Sequence, residues 1–133
     1  GRIGRAVARR LDLLGGHTTV AARNAVQRAN ARCAGHRAAP LDRLPVLLAK
    51  HDTVINTIPA PVLTAAVLAA LPKGCLIVDL ASKPGGTDFA AARRLGHTAL
   101  HALSLPTVWA PETAGEALAR TVQTILQERE EKI

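Results

Sequence analysis

Residues 75–88 read CLIVDLASKPGGTD, and the reading of this stretch decides the fold. A short apolar run, Leu76-Ile77-Val78, ends in Asp79 and opens into a loop. The loop holds a hydroxyl (Ser82), a cation (Lys83), a proline (Pro84) and two consecutive glycines, Gly85 and Gly86. A continuous apolar run bounded by turn residues reads as a buried strand of a parallel sheet. In open α/β sheets, ligands sit beyond the carboxyl ends of the strands. The polar, glycine-rich tail of this strand is therefore where chemistry is expected. Taken alone, the stretch reads equally well as an ordinary strand-to-helix connection with a solvated lysine, so its neighbours decide.

Working outward, the same alternation repeats. Ile3, Val7, Leu11 and Leu14 recur at helical spacing, and Gly15-Gly16 stops that helix. HTTVAA (17–22) is rich in β-branched residues and predicts a strand, with Arg23-Asn24 at its carboxyl end. Residues 25–34 predict a helix ending at Gly35, and 36–40 either a very short strand or a loop. Residues 41–50 predict a helix starting near Pro45. DTVINTI (52–58) predicts a strand closed by Pro59-Ala60-Pro61, followed by a helix over 62–71 and a turn at 72–74. After the strand at 76–80 come a helix over 88–95 capped by Gly96, a strand over 98–103 and a loop over 104–109. A long final helix starts at Pro111, with Ala114, Leu118, Val122, Ile125 and Leu126 on one face and the tail EREEK as a solvated end. Helices alternating with strands mean right-handed crossovers and a parallel sheet. The predicted fold class is α/β, a Rossmann-like doubly wound parallel sheet that lacks the first strand of the dinucleotide fold.

Gly1-x-x-Gly4 opening a helix is the second half of the dinucleotide fingerprint G-x-G-x-x-G. There the middle glycine lets the backbone approach the pyrophosphate and the last lets the helix pack closely. The helix N-terminus supplies N–H donors and positive potential for phosphate. Gly1, Arg2, Ile3 and Gly4 are accordingly candidate cofactor-binding residues. The end of the next strand lies where an NAD-binding domain carries an acid for the ribose 2′-hydroxyl, about twenty residues on. This chain has Arg23-Asn24 there. A guanidinium pairs with a 2′-phosphate through a planar, charge-assisted fork, which favours NADP over NAD. Arg28 is a possible second cation; a surface arginine at a strand end is the plain alternative. Thr57, Ile58 and Pro59, ending the strand at 52–58, are candidates for the nicotinamide side, and so is Ala81, ending the strand at 76–80.

INTIPA (55–60), IVDLASKPGGTDF (77–89), SLP (104–106) and AP-x-TAG (110–115) resemble the A-subunit family of dipicolinate synthase, in order and spacing, over nearly the whole chain. GRIGR and VAAR fit the same family's fingerprint and second strand. Two departures stand out: the first strand and first glycine are missing, and Thr107-Val108-Trp109 stands where the family more often has a glycine after SLP. The resemblance implies a cofactor domain spanning 1–133 that normally follows an amino-terminal substrate domain. It also implies NADP-linked oxidation of a dihydro- or hydroxytetrahydro-dipicolinate to dipicolinate, the B subunit of dipicolinate synthase as partner, and a role in sporulation. A dianionic substrate needs cations and N–H donors, and Lys83, Ser82 and the backbone of Gly85-Gly86 are positioned to provide them. Lys83 and Ser82 are thus the candidate catalytic residues, with Lys83 holding a carboxylate or, alternatively, assisting proton transfer. The enzyme alternative is another NAD(P)-dependent dehydrogenase, of shikimate- or alanine-dehydrogenase type; the non-enzyme alternative is a nucleotide-binding module.

Composition narrows the remaining classes. The 133 residues suit one domain, and 48% hydrophobic content supports an aliphatic core, since only Phe89 and Trp109 are aromatic. Ten Lys/Arg against two Asp/Glu in residues 1–50 give that part a charge of +8, while residues 51–133 carry −1. A basic half suggests a phosphate-bearing partner. The arginines are not interleaved with aromatics and no nucleic-acid motif appears, so nucleic acid is not expected. No apolar run reaches the ~20 residues of a membrane span, and no membrane partner is expected. Cys33 and Cys75 have no metal or redox spacing, so both are expected to be buried small residues in a reducing, cytoplasmic setting. The five histidines show no metal-ligand spacing and are expected at the surface or at strand ends, and no metal is expected. The chain opens on Gly1 rather than methionine and is expected to be a fragment.

Overall fold

A computed structural model describes residues 1–130. Its elements in chain order are α1 (Arg2–Leu13), β1 (Thr19–Ala22), α2 (Ala25–Cys33), β2 (Arg37–Pro40), a 3₁₀ turn (Leu41–Arg43) and α3 (Leu44–Leu48). They continue as β3 (Thr53–Asn56), α4 (Ala65–Leu68), β4 (Leu76–Asp79), α5 (Phe89–Arg94), β5 (Thr98–His101), α6 (Leu105–Trp109) and α7 (Pro111–Glu130). Residues 1–102 and residues 103–133 are separate compact units.

Every strand pair is parallel, as the alternation of elements requires. β1 pairs with β2 from Thr19↔Arg37 to Ala22↔Pro40. β4 lies between β3 and β5, with Thr53↔Leu76 and Leu76↔Thr98 in register. The described strands therefore form two sheets, β1-β2 and β3-β4-β5, rather than one. In the doubly wound order 3-2-1-4-5-6 the central strand is the first. Its place falls between β1 and β3, and each of these strands is paired on one side only. Close approaches bridge the division, Ala21 of β1 packing against the core of the three-stranded side among them. His51 Nε2, after α3, lies 3.3 Å from Thr19 Oγ1 on β1. A Cβ on Gly4 of α1 would stand 3.1 Å from Thr57 Oγ1 after β3, so this helix approaches closely and a larger residue would need the Thr57 side chain to give way.

The core sits on one face of the three-stranded sheet. Leu44 and Leu48 of α3, Leu68 of α4, and Ala91 and Ala92 of α5 pack against Ile77 of β4, with Leu63, Leu71 and Cys75 filling the edges. Small alanines let the short helices lie close to the sheet, which compensates for the near absence of aromatic residues. α1 packs half of the stripe expected, Val7 and Leu11, and completes it with smaller residues. Ala8 is buried and Gly4, Val7 and Leu11 are half-buried, whereas Ile3 and Leu14 are exposed. His36, before β2, is buried and its Nδ1 lies 2.6 Å from Asp12 Oδ2, tying the end of α1 to β2.

Of the two readings open for 36–40, a very short strand or a loop, the strand is the one observed, Arg37–Pro40 pairing along its length with β1. Other expectations are corrected. The helix expected over 62–71 is confined to Ala65–Leu68. The cause is tertiary: the amides of Val62 and Leu63 both donate to the Gly86 carbonyl, and the Asp88 amide donates to the Leu63 carbonyl. These bonds hold 62–63 extended, as a parallel bridge between Leu63 and Thr87. Residues 105–109 are helical rather than a loop, with Pro106 in the first turn, where its missing N–H costs no helical bond. Cys33 is exposed, while Cys75 is buried and burial, followed by the nearby Asp52, raises its thiol pKa. His36 and His97 are buried, each standing immediately before a strand, β2 and β5, as the strand-end reading allows. Within its own unit, α7 carries the expected stripe of Leu118, Val122, Ile125 and Leu126; the end of the EREEK tail lies outside the described residues.

Candidate functional site

All parallel strands of unit 1 point their carboxyl ends to one side, so the loops that follow them gather there. A cavity of about 1000 Å³ opens on that side, between α1, the β1–α2 turn and the loop after β3. Gly1 and Gly4 line it from α1, Arg23 and Asn24 from the turn, and Thr57, Ile58 and Pro59 from the loop. A second, smaller cavity of about 130 Å³ shares Ala21, Thr57 and Ile58 with the first and reaches Thr19 and Val54, so both border the place between β1 and β3.

Each wall has a local cause. α1 has no side-chain cap at its N-terminus, so its first N–H groups remain free for an anion. Nothing lies within 4 Å of a Cβ built on Gly1, so open space surrounds that end of the helix. Asn24 caps α2, its Oδ1 accepting from the Gln27 amide at 2.8 Å. Arg28 turns back and donates through Nη1 to the carbonyls of Ala22 (3.1 Å) and Arg23 (2.8 Å). Arg28 thus closes the turn instead of standing free, while the side chain of the exposed Arg23 makes no hydrogen bond or ion pair among the described residues.

The remaining candidates stand elsewhere. Arg2 and Ile3 are exposed on the first turn of α1 and do not line the cavity. Ala81 is buried at the end of β4, and Ser82 and Lys83 are exposed on the loop beyond it, also outside the cavity lining.

Beneath that loop lies an arrangement the sequence reading passed over. Asp79, the last residue of β4, is fully buried. Its Oδ1 accepts from Asn56 Nδ2 and from the Ala81 amide, each at 3.0 Å. Its Oδ2 accepts from the Gly86 amide at 2.9 Å and from Thr87 Oγ1 at 2.7 Å. Asn56, directly across the ladder from Asp79, also folds its own strand end over: Oδ1 accepts from the Ile58 amide at 3.0 Å and Nδ2 donates to the Ile58 carbonyl at 3.1 Å. On the other side His101 Nε2 bonds to the Ala81 carbonyl at 2.9 Å, and its ring stacks on Phe89. Gly86 is pressed into this frame, its missing Cβ replaced by the carbonyls of Ala60 and Ile58. The Lys83–Pro84 peptide bond in the same loop is cis. The signal for the arrangement was present in the sequence: Asn56 and Asp79 are the polar residues that end two strands with apolar centres.

Burial by itself pushes the Asp79 carboxyl up, but donation from Thr87, Gly86, Ala81 and Asn56 outweighs it and holds the pKa below the ordinary value. A carboxylate depressed in the folded state contributes stability above its unfolded pKa, about 3.9. That contribution is lost as pH falls through the lower folded value. The urea midpoint is therefore expected to hold from neutral pH to about pH 5 and to fall in more acidic solution. Asp79→Asn, which carries no titrating carboxyl, is expected to start lower and to fall less. An equal acid loss in both proteins would assign the effect to other groups, such as Asp12, whose pKa is also lowered.

A parallel sheet with α1 N-terminus, β1 turn and β3 loop around one cleft defines a Rossmann-like α/β fold of the nucleotide-binding type. Within that class the resemblance read from the sequence holds: the chain is similar to the A subunit of dipicolinate synthase. It is 40% identical over 128 residues to the Bacillus subtilis protein, across 96% of this chain and 43% of the relative. The crystal structure of the Bacillus subtilis protein superposes with a TM-score of 0.93 at 38% identity, covering 100% of this chain and 45% of that one. The crystal structure of the Bacillus halodurans counterpart gives 0.90 at 42% identity, covering 95% and 43%. The chain thus spans less than half the length of the relatives it matches. No protein-family model matches it. Among the described residues no helix is long and apolar enough to cross a membrane, and no cluster of three His, Cys, Asp or Glu is placed to hold a metal.

Proposed function

We propose that residues 1–133 form the NADP-binding part of an oxidoreductase that oxidises dihydrodipicolinate, or hydroxytetrahydrodipicolinate, to dipicolinate. The observation that carries this reading is the 40% identity to the A subunit of dipicolinate synthase across nearly the whole chain. The cavity supports it, since its walls are the residue types a dinucleotide needs. The N-terminus of α1 at Gly1 and Gly4 would take the pyrophosphate. Arg23 would pair with the 2′-phosphate. Asn24, Thr57, Ile58 and Pro59 would border the ribose and nicotinamide.

Bound NADP supplies the hydride acceptor. The chain's own part is orientation and charge: Lys83 holds a substrate carboxylate, Ser82 adds a hydroxyl donor, and Ala81, at the start of this loop, would border the cofactor. On this reading a separate amino-terminal domain completes the substrate site and the central strand. The B subunit of dipicolinate synthase is the partner, and the setting is the cytoplasm of a sporulating cell.

Arg23 gives the test. In the full-length protein, fluorescence titration is expected to show preference for NADPH over NADH. Arg23→Asp is expected to weaken NADPH by about 10- to 100-fold, the worth of a charge-assisted pair, with little change for NADH. Equal effects on both nucleotides would remove Arg23 from the 2′-phosphate site, and no binding of either would leave the Rossmann architecture without this chemistry.

A further inference from the structure

We propose that Asp79 is a positioning residue that locks the loops after β3 and β4 into one rigid body, fixing Ser82 and Lys83 relative to Thr57–Pro59. The inference rests on the oxidoreductase reading above, but its physical basis is separate. Three of the four donors on Asp79 come from the β4 loop itself, and the fourth, Asn56, shapes the β3 loop. A side chain needed only to fill the sheet would not be a carboxylate, since donors must then be gathered merely to offset its desolvation. A leucine or valine at a buried strand end stabilises a core without the cost of desolvating a charge.

The two loops also meet through backbone. The Gly86 carbonyl accepts from Val62 and Leu63 at 3.1 and 2.9 Å. The Leu80 amide donates to the Asn56 carbonyl at 2.8 Å. Asp79 therefore stands at the junction of two segments that would face opposite sides of a reacting pair: Thr57–Pro59 toward the cofactor and Ser82–Lys83 toward the substrate anion. Hydride transfer requires that pair at near-contact distance, and small misplacements are costly. Asp79 touches neither partner; it acts through the loop it anchors.

Because complete removal of a buried carboxylate threatens folding, the test uses the mildest cut. Thr87→Val deletes one donor to Asp79 and keeps the side-chain shape, while Thr87→Ser keeps the hydroxyl. Both are made in the full-length protein and read in two ways. Hydrogen exchange at the Ala81 and Gly86 amides is expected to rise about tenfold in Thr87→Val, the scale of one bond to a charged acceptor. The Ile77 and Val78 amides inside β4 are expected to stay unchanged. Turnover is expected to fall about tenfold while NADPH affinity stays within about twofold, and Thr87→Ser is expected to restore both readouts. Exchange that does not change at Ala81 and Gly86, or that rises equally throughout β4, overturns the clamp. Selective loosening with unchanged turnover overturns its positioning role. If wild type turns over no dipicolinate precursor, the oxidoreductase reading fails instead, and the exchange data still decide whether Asp79 holds the two loops together.

Discussion

Gly86→Ala is expected to destabilise the protein by about 3 kcal/mol or more, at the upper end of what overpacking costs. A Cβ at this position would stand 2.5 Å from both the Ala60 carbonyl oxygen and Asn56 Nδ2, and 2.6 Å from the Ile58 carbonyl oxygen. Two of the three obstacles are backbone, and the third is a buried side chain bonded to Asp79, so none can swing aside. Relief requires the 86–88 segment to withdraw from 60–63. That withdrawal breaks the Val62, Leu63 and Asp88 backbone bonds and the Gly86 amide bond to Asp79. Gly115→Ala is the matched control: nothing lies within 4 Å of its built Cβ, and it sits inside α7. Alanine there is expected to be neutral or to stabilise by up to about 1 kcal/mol through helix propensity. Urea unfolding of the two variants separates the effects. A small loss for Gly86→Ala would mean that the two loops are not pressed together as described.

The second large effect concerns the place between β1 and β3. Each of those strands presents an unpaired inner ladder to it, on residues that are mostly half-buried rather than sealed from water. Two four-residue edges without a central strand forgo its hydrogen bonds, about 0.5–1.5 kcal/mol each, and the apolar burial it brings, a loss on the scale of a small domain's stability. The 133-residue chain alone is therefore expected to unfold at low denaturant, without a sharp transition, and to bind NADPH only weakly. A longer form that carries a β-branched strand running into Gly1 is expected to regain a cooperative transition, because one parallel strand satisfies both edges. High-temperature cooperative unfolding of the bare chain would show that the two sheets are self-sufficient. Tight, micromolar NADPH binding by the bare chain would show that the cleft needs no central strand.

Much of the architecture was legible in the sequence because it depends on local pattern. The apolar run before Asp79, the β-branched residues of HTTVAA and TVIN and the glycines closing the helices mark strand and helix from a few adjacent residues. Parallel pairing followed from the alternation. The half-fingerprint at Gly1 and Gly4 located the cleft, and Arg23, Asn24 and Thr57–Pro59 do come together around it. Where the reading failed, the cause was non-local. The 62–71 segment has helical composition, but its first residues are held extended by Gly86, more than twenty positions away. Of the stripe read on α1, Val7 and Leu11 pack, but Ile3 and Leu14 do not, and Gly4 and Ala8 complete the face, where small size permits close approach.

The same division runs through the site. Sequence determined the order of elements, the parallel sheet, the anion-ready helix start and the cation at the end of β1, because each is written in a few adjacent residues. Only the tertiary structure decided that Asn56, Asp79 and His101 stand side by side at the ends of three strands and that Gly86 is sealed beneath Ala60 and Ile58. Register across a sheet is set by the packing of whole faces, and a buried carboxylate is recognised by the donors brought to it from distant loops.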